Sequence, residues 1–209
     1  MTTDETSARP AVMGTADRRQ RVLDGAVRVF AAKGYRGATV ADIADELGFT
    51  RAALYYYFDS KLDLLDAIAS RPVSMLLAAA QEIAEREVSA GEKVAEFVGS
   101  HLRLMVLNPE MFTVMIREQM ELPPSTLATL RQLDRSYQKL LAGLIRAGIE
   151  DGSFRDVDAD LAALHMLGAL NWTLQWYRPD GRATLDEVVA TYAGLALGGL
   201  GVGSVGLPT

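Results

Sequence analysis

The sequence predicts an all-α protein in two parts, a small three-helix unit followed by a longer helical domain. Three observations carry this expectation. Apolar residues recur at i, i+3, i+4 and i+7 in one segment after another, the period of a half-buried helix. No stretch alternates convincingly with period two, as strands would. The segments are separated by short glycine, proline and asparagine or aspartate breaks rather than by long loops.

Taken in order, residues 1–16 carry Thr, Ser, Ala, Pro and Gly without periodicity and read as a flexible tail. Asp17 is an N-cap candidate; Leu23, Ala26, Val27 and Phe30 follow at helical spacing, and Gly34 stops that helix. Thr39 caps a second segment built on Val40, Ile43, Ala44 and Leu47, which Gly48 ends after barely two turns. Thr50 caps a third, Arg51 to Phe58, before Asp59-Ser60 restarts the chain at Lys61. Residues 17–66 therefore read as one compact unit, and 67–209 as a second domain. Pro72 kinks or restarts the fourth helix, and further helices are expected near 73–88, 92–107, 109–121, 125–150, 158–177 and 184–200.

The chain has 209 residues, 49% hydrophobic and 23% charged, enough to bury a sizeable core. It has no cysteine, which rules out a disulfide scaffold and a thiol nucleophile and fits a reducing cytoplasm. The first fourteen residues lack the apolar run of a signal peptide, and nowhere are eighteen apolar residues uninterrupted, so no membrane partner is expected. The apolar tail from Leu195 to Val205 is too short and too glycine-rich to span. Net charge is −6, which by itself speaks against nucleic acid. Residues 18–36, however, carry Arg18, Arg19, Arg21, Arg28, Lys33 and Arg36 against Asp24 alone, a local cluster able to neutralise phosphates.

The most informative stretch runs from Thr39 to Lys61. Ala44 is small where two helices cross, and Gly48 supplies a turn that needs φ > 0. Ile43, Leu47, Phe49, Leu54 and Phe58 make a minimal core. The opposite face of the third helix is left with Arg51, Ala52, Tyr55 and Tyr56, whose exposure is costly without a partner. A DNA major groove is such a partner, since it admits one helix. The same corner occurs as plain structure in many proteins, and Tyr57, on the face of Leu54 and Phe58, fits an ordinary core position.

This stretch closely resembles the DNA-binding domain of the tetracycline-repressor family, whose hallmark Leu-Tyr-x-Tyr-Phe-x-Ser-Lys appears here as Leu54 to Lys61. The resemblance implies a homodimer on a palindromic operator in double-stranded DNA, usually as a repressor. It implies that Arg51, Ala52 and Tyr56 meet base edges, while Thr39, Thr50, Tyr55, Tyr57 and Lys61 hold phosphates or support the helix. Ala52-Ala53 stand where glycine or threonine is frequent in the family; alanine can still touch a thymine methyl.

The last two helices are apolar almost all round, which implies burial on every side. A second copy is the natural cover, and Leu161, Leu164, Val189, Ala193, Leu197 and Leu200 are the expected interface. Asn171-Trp-Thr-Leu-Gln-Trp-Tyr-Arg-Pro179 is similar to a signature in family members that sense acyl-CoA thioesters. That likeness implies an amphipathic effector, with Phe97, His101, Met105, Met115, Tyr137 and Trp172 around its apolar part and Arg178 at the mouth. The same aromatic stripe equally serves as dimer core. His101 lies on the inward stripe of Val94, Phe97, Val98 and Met105, where a hydrogen-bonded core histidine is the ordinary case. Methionines around Asn108-Pro109 suit an irregular ligand and equally fill gaps.

No catalytic set, metal cluster or cofactor loop is legible: Asp156, Asp158 and Asp160 lie at a helix start, where carboxylates cap. The expected function is a ligand-responsive transcriptional regulator in the cytoplasm. Its alternatives are a drug-responsive repressor of an efflux pump and a ligand-binding protein whose helix-turn-helix is vestigial.

Overall fold

The structure, a computed structural model, describes residues 14–201. Most of the expected tail and the last residues of the apolar C-terminal run lie outside them. Packing divides the chain into Met1–Leu65 and Asp66–Thr209. Among the described residues there is no strand.

In the first unit, α1 (Thr15–Gly37) starts earlier than expected. Asp17 is not its N-cap: it sits one turn inside, and its carboxylate accepts from the Gly14 N–H at 3.3 Å, so Thr15 and Ala16 are already helical. Gly34, at φ +74°, breaks the helix near its end. Helix α2 (Val40–Leu47) is closed by a reciprocal cap, with the Asp42 N–H donating to Thr39 Oγ1 at 3.1 Å and the Thr39 N–H to Asp42 Oδ2 at 2.8 Å. Gly48 ends it in the left-handed region, φ +66°, where a side chain would be strained. Helix α3 (Arg51–Tyr55) is shorter than the periodicity implies, because the chain leaves helical pairing at Tyr56 and turns through Tyr57. Val22, Ala26, Phe30, Ile43, Leu54 and Phe58 fill the core between them. Helix α4 (Lys61–Ala69) runs from the first unit into the second.

The second unit holds α5 (Arg71–Glu85), α6 (Ala90–Leu107), α7 (Pro109–Arg117), a 3-10 turn (Gln119–Glu121), α8 (Pro124–Glu150), α9 (Ala159–Trp176) and α10 (Leu185–Leu200). Their starts follow from cap chemistry. Ser89 pairs with Glu92 and Thr184 with Glu187 in capping boxes, and Asp158 accepts from the N–H groups of Asp160 and Leu161 at 3.0 Å. The central element is α6, which packs on α5, α8, α9 and α10 and buries Val94, Phe97, Val98, His101, Leu102 and Met105. Beyond α8 the chain folds back tightly: a Cβ on Gly148 would come within 2.2 Å of the buried Phe154 ring. The same loop finishes α10, since the Arg155 N–H donates to Leu200 O at 2.9 Å and its Nε to Gly199 O at 2.7 Å.

Candidate DNA-binding and effector sites

The corner from α2 to α3 is held by short-range caps, and two ion pairs tie α2 to α1. Arg28 reaches Glu46 at 2.6 Å and Lys33 reaches Asp42 at 2.7 Å. These pairs correct the charge reading above: two of the six cations in the basic cluster are neutralised by α2. The Asp42 carboxyl is held down to about 2, first by the Lys33 hydrogen bond and then by Thr39. Arg19 stacks over Phe58 at 4.6 Å and Arg21 over Phe49 at 5.6 Å, covering the edge of the small core.

The four expected residues, Arg51, Ala52 and Tyr55 on α3 and Tyr56 at its C-terminal cap, are exposed, and Tyr56 retains 76% of its free surface. The Tyr56 ring stands edge-on to the half-buried Tyr57 at 5.0 Å, which limits where it can swing. The Thr50 hydroxyl accepts from the Ala53 N–H at 3.2 Å and keeps its own proton for an outside acceptor. Thr39 differs: its hydroxyl also donates to Asp42 at 2.8 Å, so it is spent inside the cap.

Lys61 is turned inward, which favours the supporting role over the phosphate contact, the two roles the resemblance implies for it. Its ammonium donates to Tyr35 O at 2.7 Å and Ala38 O at 2.8 Å and lies 4.3 Å from the Tyr35 ring. It ties together two carbonyls flanking the end of α1, just past the break at Gly34, a task that suits a long cationic side chain. Lys61→Met is therefore expected to cost the first unit about 1–3 kcal/mol, the worth of hydrogen bonds to a charged group. The slope of log affinity for DNA against log salt should stay as in the native protein. A phosphate-binding lysine would instead lower that slope by about one, and a salt titration of both proteins distinguishes the two.

In the second unit, three of the expected effector residues come together. Phe97 stacks on Tyr137 with centroids 4.8 Å apart, and His101 Nδ1 meets Tyr137 Oη at 2.9 Å. All three are buried, as is Met105 one turn further along α6, while Met115 on α7 is half-buried. Burial holds the His101 imidazole down to about 4, against a smaller opposing effect of the Asn171 side chain. Burial likewise pushes the Tyr137 phenol up, so both partners are neutral. Trp172 does not join them. The buried stripe of α9 is Ala159, Ala163, Met166, Leu170 and Thr173, and two residues on from Leu170 the helix has turned away, leaving Trp172 66% exposed. Arg178 is exposed, its guanidinium donating to Tyr177 O at 2.9 Å.

The expected interface residues divide in the same way. Leu161 and Leu164 are exposed on α9, with Trp172, Trp176 and Leu195 adding large apolar surface. Between α9 and α10 lies a groove of about 670 Å³, lined by Leu161, His165, Ala169, Tyr192, Leu195 and others. Leu200 faces the protomer's own core at 4% exposure, Val189 lies near Gly99 of α6, and Leu197 lies near Gly91. Leu200 is thus withdrawn from the interface, and Ala193 is half-buried. Sequence reading missed Asn171 beside His101 and the stack of Trp176 on Tyr192, centroids 6.5 Å apart.

A capped helix-turn-helix that presents arginine and tyrosine outward, joined to a helical domain with a polar pair in its core, defines a DNA-binding transcriptional regulator. Comparison with known proteins places it further. Residues 22–68 match the model described as bacterial regulatory proteins, tetR family, and residues 87–200 the tetracyclin repressor-like C-terminal domain. The chain belongs to the tetracycline-repressor (TetR) family. It is 31% identical over 196 residues to the HTH-type transcriptional repressor KstR2 of Rhodococcus jostii, covering 90% of this chain and 93% of that one. It is 25% identical to the fatty acid metabolism regulator protein of Bacillus subtilis, over 86% of this chain and 94% of the relative. The crystal structure of the TetR family regulator PfmR from Thermus thermophilus superposes with a TM-score of 0.79 at 33% identity, covering 88% of this chain and all of that one. The protein is a transcriptional regulator and not an enzyme, and regulators of this family bind operator DNA and small-molecule effectors as dimers. No helix of the described residues is long and apolar enough to cross a membrane.

Proposed function

We propose that the protein is a homodimeric repressor that grips an inverted-repeat operator through α3 and releases it when an acyl-CoA thioester enters the second unit. The observation that carries the DNA half is the outward face of α3 and its C-terminal cap, where Arg51, Ala52, Tyr55 and Tyr56 stand exposed on a capped turn, with Tyr57 the ring partner of Tyr56 among the described residues. The effector half is supported by the aromatic and methionine-lined core around Phe97 and Tyr137, and by likeness to a regulator named for fatty acid metabolism. Helix α4 offers a route between the two, because Asp66 near its end accepts a hydrogen bond from Thr126 of α8. An effector that reshapes the α6–α8 core changes the setting of α4 and, through it, the spacing of the half-sites.

Selection of genomic fragments by the full-length protein should return an enriched palindrome. Arg51→Ala should then lose about 1–3 kcal/mol and relax base preference at its own position, as a base-reading arginine does. Failure to enrich any inverted repeat overturns the DNA half. One observation favours the drug-responsive alternative. Asp134 stands one turn before Tyr137 on α8 at the exposed surface, its carboxyl raised by partial desolvation and without an ion pair among the described residues. A cationic compound would neutralise it. Release of operator by a cationic dye but by no acyl-CoA would replace the thioester reading with that one.

A further inference from the structure

The outer faces of α9 and α10 carry almost no charge. From Leu161 to Trp176 and from Val188 to Gly201 there is no Asp, Glu, Lys or Arg. In those stretches one side chain changes charge near neutrality, the His165 imidazole, since the other ionisable group is the phenol of Tyr192. His165 is exposed and lines the groove between the two helices. It continues the outward stripe of Leu161, Ala169 and Trp172 at helical spacing, all of them exposed. The charged groups around it are engaged elsewhere. Arg155 and Asp158 also line the groove. Arg155 Nε holds Gly199 O, and Asp158 accepts from the N–H groups of Asp160 and Leu161. From α8, Arg146 meets Asp160 at 3.4 Å; from α6, Arg103 meets Asp186 at 2.9 Å. Glu187 closes the cap of α10 with Thr184, and α6 turns Val98 toward the groove. Asp158 favours a charged ring, but it precedes His165 by seven residues, about 10 Å of helix, and Arg155 opposes it.

A face without charge complements another like it, and a regulator of this family carries its own second copy. We infer that the second copy covers the α9–α10 face with His165 inside it, so that proton uptake by His165 separates the dimer and frees the operator without any effector. The inference rests on the dimer half of the proposed function and is independent of the acyl-CoA half. A residue in the middle of a covered stripe loses its water whatever the crossing angle of the two copies. An imidazolium there would give up hydration with no carboxylate in either apolar stretch to replace it, so the paired protein keeps the ring neutral. The separate protomer holds the same ring in water, where it takes up its proton freely. Two protomers therefore bind more protons than the dimer, and acid shifts the balance toward protomers. Because there are two such rings per dimer, the effect acts twice.

Sedimentation equilibrium of the full-length chain at intervals from about pH 8 to 5.5, spanning the range in which histidine changes charge, reads this directly. The dissociation constant of the dimer should rise by roughly 5- to 100-fold across the interval, the helix signal in circular dichroism staying constant. In His165→Gln, polar but without a titrating proton, most of that rise should vanish. A constant that does not rise, one that rises equally in His165→Gln, or a dimer that tightens in acid each overturns the inference. A labelled operator duplex from the genomic selection, followed by anisotropy without effector, should be released by acid more readily from the native protein than from His165→Gln; equal release overturns the link to DNA. The interface and the switch fail separately. If Leu161→Glu with Leu164→Glu stays dimeric, the α9–α10 face is not the interface and the role of His165 falls with it. If that variant is a monomer while the native dimer ignores pH, the interface stands and the proton switch alone falls.

Discussion

Replacing Leu161 and Leu164 together by glutamate is expected to yield a folded monomer with little affinity for its operator. Both leucines lie on the outer face of α9, Leu161 at 63% exposure, beside the groove that runs between α9 and α10. Leu195, 70% exposed, extends the apolar surface onto α10, and Trp172 and Trp176 extend it along α9. Apolar area of this kind on two adjacent helices marks an association surface. A two-fold axis would bring α9 and α10 against their copies as a four-helix interface. Four carboxylates placed in that interface, two from each protomer, lose hydration without gaining a cation, at a cost of several kcal/mol per dimer. The isolated protomer barely notices, since substitutions at exposed positions usually change stability by about 0.5 kcal/mol or less. Losing the second half-site should weaken operator binding by roughly 10²- to 10⁴-fold, the usual gain from linking two binding modules. Sedimentation and circular dichroism check both halves at once: a helical monomer is expected, and a persistent dimer places the interface elsewhere. Leu200→Glu would not serve as this test, because that side chain fills the protomer's own core and the fold would fail first.

That contrast shows what sequence patterns convey here and what they leave out. The corner that positions α3 was legible almost residue by residue, because its chemistry is local. Thr39 and Asp42 are three residues apart, Thr50 caps within its own turn, and Gly48 announces a positive φ. The capping boxes of α6 and α10 are just as local, yet the expected helices pass over them, one starting near 92 and the other including Thr184. Lys61 was not, because the carbonyls that hold it lie 23 and 26 residues back along the chain, at a break whose geometry no motif encodes. The dimer face resisted for a different reason. A helix that is apolar on all sides carries no polar stripe to say which face enters its own core, so Leu200 and Leu161 look alike in sequence. Trp172 followed the same rule: its size pointed inward, while the small residues Ala159 and Ala163 mark the packed side of α9. The pairing of His101 with Tyr137, 36 residues apart, came only from the packing of α6 against α8.

Acidification from about pH 6.5 to 4 is expected to remove about 3 kcal/mol of stability through His101 alone. The imidazole is held neutral in the folded protein, down to about 4 from an ordinary value of 6.5, chiefly by burial. In that interval the unfolded chain binds a proton that the folded protein refuses, so unfolding gains as pH falls. Each unit of the difference is worth about 1.4 kcal/mol, and the contribution is complete once pH drops below the folded value. Two groups in the neighbourhood bear on the size of the effect. Asn171 favours the charged ring and trims it, whereas the neutral Tyr137 phenol provides no counter-charge. Asp134, with its carboxyl raised, works in the opposite sense, since its folded form takes up a proton first and is favoured by acid. Comparing His101→Phe with the native protein separates the terms, because every other carboxyl is common to both. Urea unfolding at intervals from pH 7 to 4 should give a native curve that falls more steeply below 6.5 than that of His101→Phe, the two slopes differing by about one proton. Parallel curves would mean that His101 takes its proton inside the folded protein and would overturn the prediction.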